Sequence, residues 1–166
     1  MCLDDSTVRI PLRARDGSVR AYALVDAADA DFVNQWKWIY ASNYAVRNEN
    51  IEGRGWRQIF MHREILGLSR LPLYNGLVGD HINRNKLDNR RSNLRAVRKA
   101  EDQQNIPNRS GVSGVRGVTW HKRERKWYAR ISVEGTRHHV GSFMTEPEAI
   151  AAIRAARAAL MPFSTD

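Results

Sequence analysis

The sequence predicts an α+β protein: a β-rich N-terminal scaffold, then a three-stranded antiparallel sheet packed on one helix. Three observations carry the prediction. Residues 1–60 break into short strand-like runs divided by turn residues, and Trp36, Trp38, Tyr40, Tyr44 and Trp56 cluster among them. The last third repeats the pattern of three strand-like runs and then turns abruptly Ala-rich. Thr145, Glu146, Pro147 and Glu148 mark that change, with the spacing of a capping box and a proline in the first turn.

Residues 8–12 and 19–24 flank Asp16-Gly17, a good turn pair. Residues 26–33 read as a helical turn, and residues 35–40, 43–46 and 57–60 as strands. The alternating aromatics are expected to be core and cross-strand pairs. Residues 61–68 read as a short helix. Residues 73–74 and 77–82 are expected to pair across Asn75-Gly76, a strong hairpin signal. After the polar run 83–93, Ser92 or Asn93 is expected to start a helical stretch reaching about Asn105. Pro107, Asn108, Ser110 and Gly111 read as a linker. Residues 115–121, 126–133 and 137–143 are the strands of the last third, with Glu134-Gly135 as a turn. The helix body is 149–160, with Ile150, Ile153 and Leu160 at helical spacing.

Charge narrows the partner. The net charge is +9, and the excess is local. Residues 1–60 carry 8 basic and 8 acidic side chains, whereas Arg84 to Arg130 carry 14 Lys or Arg against 4 Asp or Glu. Clustered positive charge releases counterions from a phosphate backbone, which points to nucleic acid. Cys2 is the only cysteine, so a disulfide framework and a Cys-rich zinc site are excluded, which fits a reducing cytosol. No 18-residue apolar run exists, so no membrane partner is expected.

The stretch that carries chemistry runs from Gly79 to Asn105. Asp80 and His81 are adjacent, Asn93 follows His81 by twelve residues, and Asp102 follows Asn93 by nine. Phosphodiester hydrolysis calls for this set of groups. A hard cation such as Mg²⁺ or Mn²⁺ takes oxygen ligands, and Asp80 and Asp102 offer them. A neutral imidazole, with a pKa near 6.5, can take a proton from water, which suits His81 as base. Asn93 is expected to hold the second ring nitrogen. Chance Asp-His pairing, Asn-rich turn formation and exposed helix charges would give the same letters without catalysis.

The motif resembles the HNH homing-endonuclease family, the ββα-metal nucleases of phages and introns. The matching residues are His62-Arg63, Asp80-His81-Ile82, Asn85, Leu87, Asn89-Arg90, Ser92-Asn93-Leu94-Arg95 and Gln104-Asn105, within about residues 60–105. The resemblance implies a ββα-metal core, with His81 as general base, Asn93 orienting it and Asp80 as metal ligand. The last ligand position, His or Asn in the family, falls on Asp102; in a neighbouring register Asn105 would serve. His62 is expected near the site and not in it.

Residues 111–160 resemble the ethylene-response-factor DNA-binding domain. The match rests on Gly114-Val115-Arg116-Gly117-Val118, Trp127-Tyr128-Ala129-Arg130-Ile131, Val140-Gly141-Ser142-Phe143 and Glu148-Ala149. Alternation sends Trp127, Ala129, Ile131 and Val133 toward the helix, and Lys126, Tyr128, Arg130 and Ser132 to the other face. The resemblance adds Arg116, Thr119, His121, Arg137 and His139 to that DNA-facing surface. Trp120 is either a core edge or a sugar contact.

The expected organisation is therefore 1–106 for strands plus nuclease, 107–112 for a linker, and 113–162 for a DNA-holding module. The expected function is metal-dependent cutting or nicking of double-stranded DNA in the host cytoplasm, with the oligomeric state open and a monomer favoured. The rival is a non-cutting DNA-binding regulator that uses the C-terminal module.

Overall fold

The structure, a computed structural model, describes residues 6–52, 55–69, 76–106 and 112–165. It is α+β, as expected, and divides into two compact units, Met1–Lys99 and Ala100–Asp166. The strand proposed at residues 73–74, Asn75 of the proposed turn and the linker residues 107–111 lie outside the described residues.

In the first unit, β1 (Thr7–Arg13) and β2 (Val19–Asp26) form a hairpin, and α1 (Ala27–Val33) follows directly. β3 (Ile39–Ala41), β4 (Tyr44–Ile51) and β5 (Gly55–Phe60) make a second antiparallel sheet, which leads into α2 (Met61–Ile65). Alternate residues of the first hairpin, Ile10 and Leu12 with Ala23 and Val25, enter one core with Val33, Trp38, Ala45, Met61, Ile65 and Leu94. Trp38 is only 2% exposed, and its indole N–H donates to the Val33 carbonyl at 2.8 Å, so the ring is buried without an orphaned donor. The aromatic run does not all enter this core. Trp36 packs at its margin, but Tyr40 is 40% and Trp56 74% exposed, because Tyr40 sits by the β3–β4 turn and Trp56 near the outer end of the β4–β5 hairpin.

β6 (Leu77–His81) pairs antiparallel with β7 (Leu94–Arg98). This corrects the helix expected from Ser92 or Asn93. A short 3-10 turn at Arg91–Asn93 leads into a strand, and helix begins only with α3 (Lys99–Asp102), continued by a 3-10 turn at Gln103–Asn105. The ladder with β6 pairs alternate backbone groups of Leu94 to Arg98 and overrides their helical propensity.

In the second unit the strand order is β10-β9-β8, with β8 at Val118–His121, β9 at Lys126–Val133 and β10 at Thr136–Phe143. α4 (Glu146–Leu160) starts at the expected capping box, where Thr145 N–H donates to Glu148 Oε2 at 3.2 Å. Val118, Ala129 and Ile131 pack against Ala149, Ile153 and Met161, with Trp127 and Val133 at the border, so the alternation along β9 faces the helix as expected.

Candidate active site

β6 and β7 are joined by the Asn-rich loop, residues 82–93, and Asp80 and His81 end β6 where the loop begins. Both are buried. Asp80 faces Arg95 in the ladder, and its Oδ2 accepts from Arg95 Nε at 2.8 Å. The loop is fastened to the N-terminal hairpin. Leu24 N–H donates to the Leu87 carbonyl and Asn89 N–H to the Leu24 carbonyl, both at 2.8 Å. Arg91 N–H donates to Asp26 Oδ2 at 2.7 Å, and the Arg91 guanidinium holds Asp29 through both oxygens at 2.7 and 2.8 Å. Inside the loop, buried Asp88 takes the Arg90 fork at 2.7 Å on both oxygens, and this contact lowers its pKa. The upstream hairpin thus serves as a template for a loop with few apolar residues of its own.

His81 is 5% exposed, and its Nε2 lies 3.2 Å from Asn89 Oδ1. With the carbonyl oxygen facing Nε2, the proton resides there and Nδ1 carries the acceptor lone pair. Burial lowers the His81 pKa, against the opposing effect of Asn89 and of Asp80, so the neutral imidazole is favoured. Asn93, expected to hold the ring, uses its side chain elsewhere. Its Nδ2 donates to the Asp88 carbonyl at 2.7 Å and its Oδ1 accepts from Asn83 N–H at 2.8 Å. Asn93 closes the loop that carries Asn89, and Asn89 meets the imidazole.

His62, from α2, lies against this ring, 4.8 Å between centroids and edge-on, with Tyr44 6.1 Å from His81 on the β4 side. It is 6% exposed, and burial, then the charge of a protonated His81, push its pKa down to about 3. Unfolded, His62 titrates near 6.5. Between those values the unfolded chain binds more protons than the folded one, so stability is full above 6.5 and falls as pH drops toward 3. His62→Phe keeps a ring but cannot titrate; thermal unfolding from pH 7 to pH 4 should show a shallower loss of midpoint for it than for the wild type. Equal slopes would show that His62 takes up its proton as readily in the folded chain as in the unfolded one.

Asp102 is half-buried in α3 and Asn105 is buried, its Oδ1 accepting from Thr165 Oγ1 at 2.7 Å; both belong to the second unit. Among the described residues no three His, Cys, Asp or Glu side chains converge as a metal cluster. The donor chemistry nevertheless fits a hard cation, which needs only one or two carboxylates when phosphate and water complete its shell.

On the second unit, the register sets Thr119 beside Tyr128, His121 beside Lys126, His139 beside Arg130 and Arg137 beside Ser132, on the sheet face away from α4. Tyr128 is buried within that face between His121 and His139, at 5.0 and 5.6 Å, with Arg130 stacked on it and its hydroxyl donating to Glu124. Arg116 is engaged by backbone: its guanidinium donates to the Gln103 and Gln104 carbonyls at 3.4 and 3.2 Å, beside Thr119, Arg130 and Arg137. Trp120 pairs with Trp127 on the helix side, at the core edge.

Residues 61–104 match a family model described as HNH endonuclease. "Protein 3.8" of Escherichia phage T7 is 29% identical over 82 residues, covering 49% of this chain and 68% of that protein. No solved structure matches the chain. The match puts an HNH endonuclease domain at residues 61–104 and supports a nuclease.

Proposed function

From the HNH domain at residues 61–104 we propose that the chain is a metal-dependent endonuclease that nicks or cleaves double-stranded DNA in the cytoplasm of a host cell. The observation that supports it best is the pairing of a buried, neutral-favouring His81 with a carboxylate, Asp80, at the end of one strand. His81 takes the proton of the attacking water at Nδ1, while Asn89 holds Nε2. Asp80, steadied by Arg95, and Asp102 would hold Mg²⁺ or Mn²⁺, with Asn105 as the alternative ligand. When bound, that ion supplies charge neutralisation for the phosphate and the leaving oxygen. Asn93 orients the base at one remove, through the loop. A single site of this kind nicks one strand, and a monomer suffices for it.

Supercoiled plasmid incubated with the protein should relax in Mg²⁺ and stay supercoiled in EDTA. Relaxation unaffected by EDTA, or none in either, would sink the reading. Calorimetric titration with Mn²⁺ should show weaker binding for Asp80→Ala and for Asp102→Ala. If Asn105→Ala alone weakens it, the ligand register lies three residues further on.

The second unit resembles the ethylene-response-factor domain, and its role in this proposal is to hold the duplex. Lys126, Arg130, Arg137, Thr119, His121 and His139 share the face away from α4, with Tyr128 as their packed centre and Arg116 at the margin. Arg130→Ala in the full chain should lower duplex affinity and blur the choice of cut sites more than it slows cutting at a given site. End mapping on a phage or host genomic digest reads this; an unchanged site pattern with unchanged affinity would remove the face from recognition. A non-cutting DNA-binding regulator would show the same affinity loss and no Mg²⁺-dependent cutting.

A further inference from the structure

A polar cavity of about 300 Å³ lies next to the candidate active site and is used by none of the chemistry above. It is lined by Tyr40 of β3 and Asn43 of the following turn, together with Arg84, Asn85, Lys86 and Leu87 of the Asn-rich loop. Two of these six side chains are cations, and none is acidic. Lys86 makes no ion pair among the described residues. Its ammonium instead stands 4.3 Å over the ring of Tyr44, which touches both His62 and His81. The charge of Lys86 acts on both histidines. Two cations that share a cavity lined by no carboxylate leave its positive charge available to an anion.

The backbone adds an independent observation. Arg84 has φ +64, in the left-handed region, where a long side chain is rarely found. The same conformation at Ser42 and Asn43 is explained by the two-residue turn between Ala41 and Tyr44. Arg84 takes it where it closes the hydrogen-bonded turn that begins at His81. The loop reverses there, Arg84 N–H donating to the His81 carbonyl at 2.9 Å, and Arg84 is among the residues that line the cavity. Strain of this kind persists where surrounding structure enforces it, often at ligand sites.

We propose that this cavity binds a backbone phosphodiester of the duplex flanking the one cut at His81, with Lys86 and Arg84 as its cations and the Asn43 and Asn85 Nδ2 groups as donors, Asn43 being held by the Tyr40 hydroxyl, which donates to its Oδ1 at 2.8 Å. Only the identity of the phosphate, as a neighbour of the cut one, rests on the nuclease reading. The subsite fixes the register of the backbone relative to His81. Phosphate contact carries no sequence information, so the subsite contributes equally to every duplex.

The test uses the full chain carrying His81→Ala, which holds DNA without cutting it. Duplex affinity is measured by fluorescence anisotropy across a salt series, without and with Lys86→Gln, and separately with Arg84→Gly, which tolerates the left-handed backbone. Each change should lower affinity about threefold to tenfold on matched and scrambled duplexes alike, and reduce the slope of log affinity against log salt by about one. Lys86→Arg should restore the slope. A duplex with a single neutral methylphosphonate, moved along one strand, should lose affinity for the Lys86-intact chain at one position and not for Lys86→Gln. Unchanged slopes in both variants overturn the subsite. So does saturable calorimetric binding of inorganic phosphate that Lys86→Gln abolishes while duplex affinity stays unchanged, since the site then serves free phosphate. Plasmid relaxation by the His81-intact chain is read in parallel. Slope changes without relaxation keep the subsite and sink the nuclease; relaxation with unchanged slopes does the reverse.

Discussion

His81→Ala is expected to slow DNA cleavage by about 10²–10⁴, the usual cost of losing a general base, and to leave duplex affinity close to wild type. The imidazole is buried, so it contributes little to holding a phosphate, and the basic groups proposed to hold the duplex lie elsewhere, in the loop and on the sheet of the second unit. Burial favours the neutral ring, so the acid limb of the cleavage profile should fall on the acidic side of the ordinary histidine value of 6.5. The sign follows from the base role: cleavage requires the unprotonated form, and a lowered pKa preserves that form to lower pH. Asn89→Leu removes the contact that favours the proton on the ring, and the limb should move further to the acid side while the maximal rate falls. Single-turnover rates on a plasmid between pH 5 and 8 decide the matter. Cleavage by His81→Ala within tenfold of wild type would remove His81 from the reaction.

Much of the protein was legible because its local patterns agree with its tertiary packing. The alternation of Ile10 and Leu12 against Ala23 and Val25 gives a hairpin, and the capping box at Thr145 starts α4 where it should. The Asp80-His81 pair stood out in the sequence, and the fold sets both side chains, buried, at the end of one strand. The partners of those two groups were less so. Asn89 stood in a run of Asn and Arg that reads equally well as turn formers, and only the fold brings it to Nε2 of a residue eight positions earlier. Arg95 reaches Asp80 because Leu94 to Arg98 form a strand, and that strand is invisible in a segment whose own propensity is helical. Asp26 and Asp29 hold Arg91 from more than sixty residues away, a separation at which spacing carries no signal. Trp56 shows the opposite error: aromatic alternation implied a core place, and its position near the hairpin's outer end left it in solvent.

Gly79→Ala is expected to cost about 1–3 kcal/mol of stability and to lower the cleavage rate about tenfold to a hundredfold. The residue lies in β6 one position before Asp80, and a methyl group there would come within 2.5 Å of His62 Cδ2 and 3.2 Å of both His62 Nε2 and Leu66 Cδ1. His62 is buried and cannot swing into solvent, so it must press on the ring it already touches, that of His81. A shift of about 1 Å at a reacting group is enough for such a rate loss. The cause is the overlap with His62, so the two positions should be coupled. His62→Ala opens the space, and Gly79→Ala added to it should cost far less than Gly79→Ala alone, which a double-mutant cycle on urea unfolding measures directly. The rate behaves differently: His62→Ala removes one wall of the His81 pocket, and the double variant should fold well yet stay slow. His62→Phe, which keeps an aromatic wall, should recover more of the rate than His62→Ala. If the two costs simply add, the glycine is required by the strand and not by the histidine packed upon it, and His62 has no part in holding His81 in place.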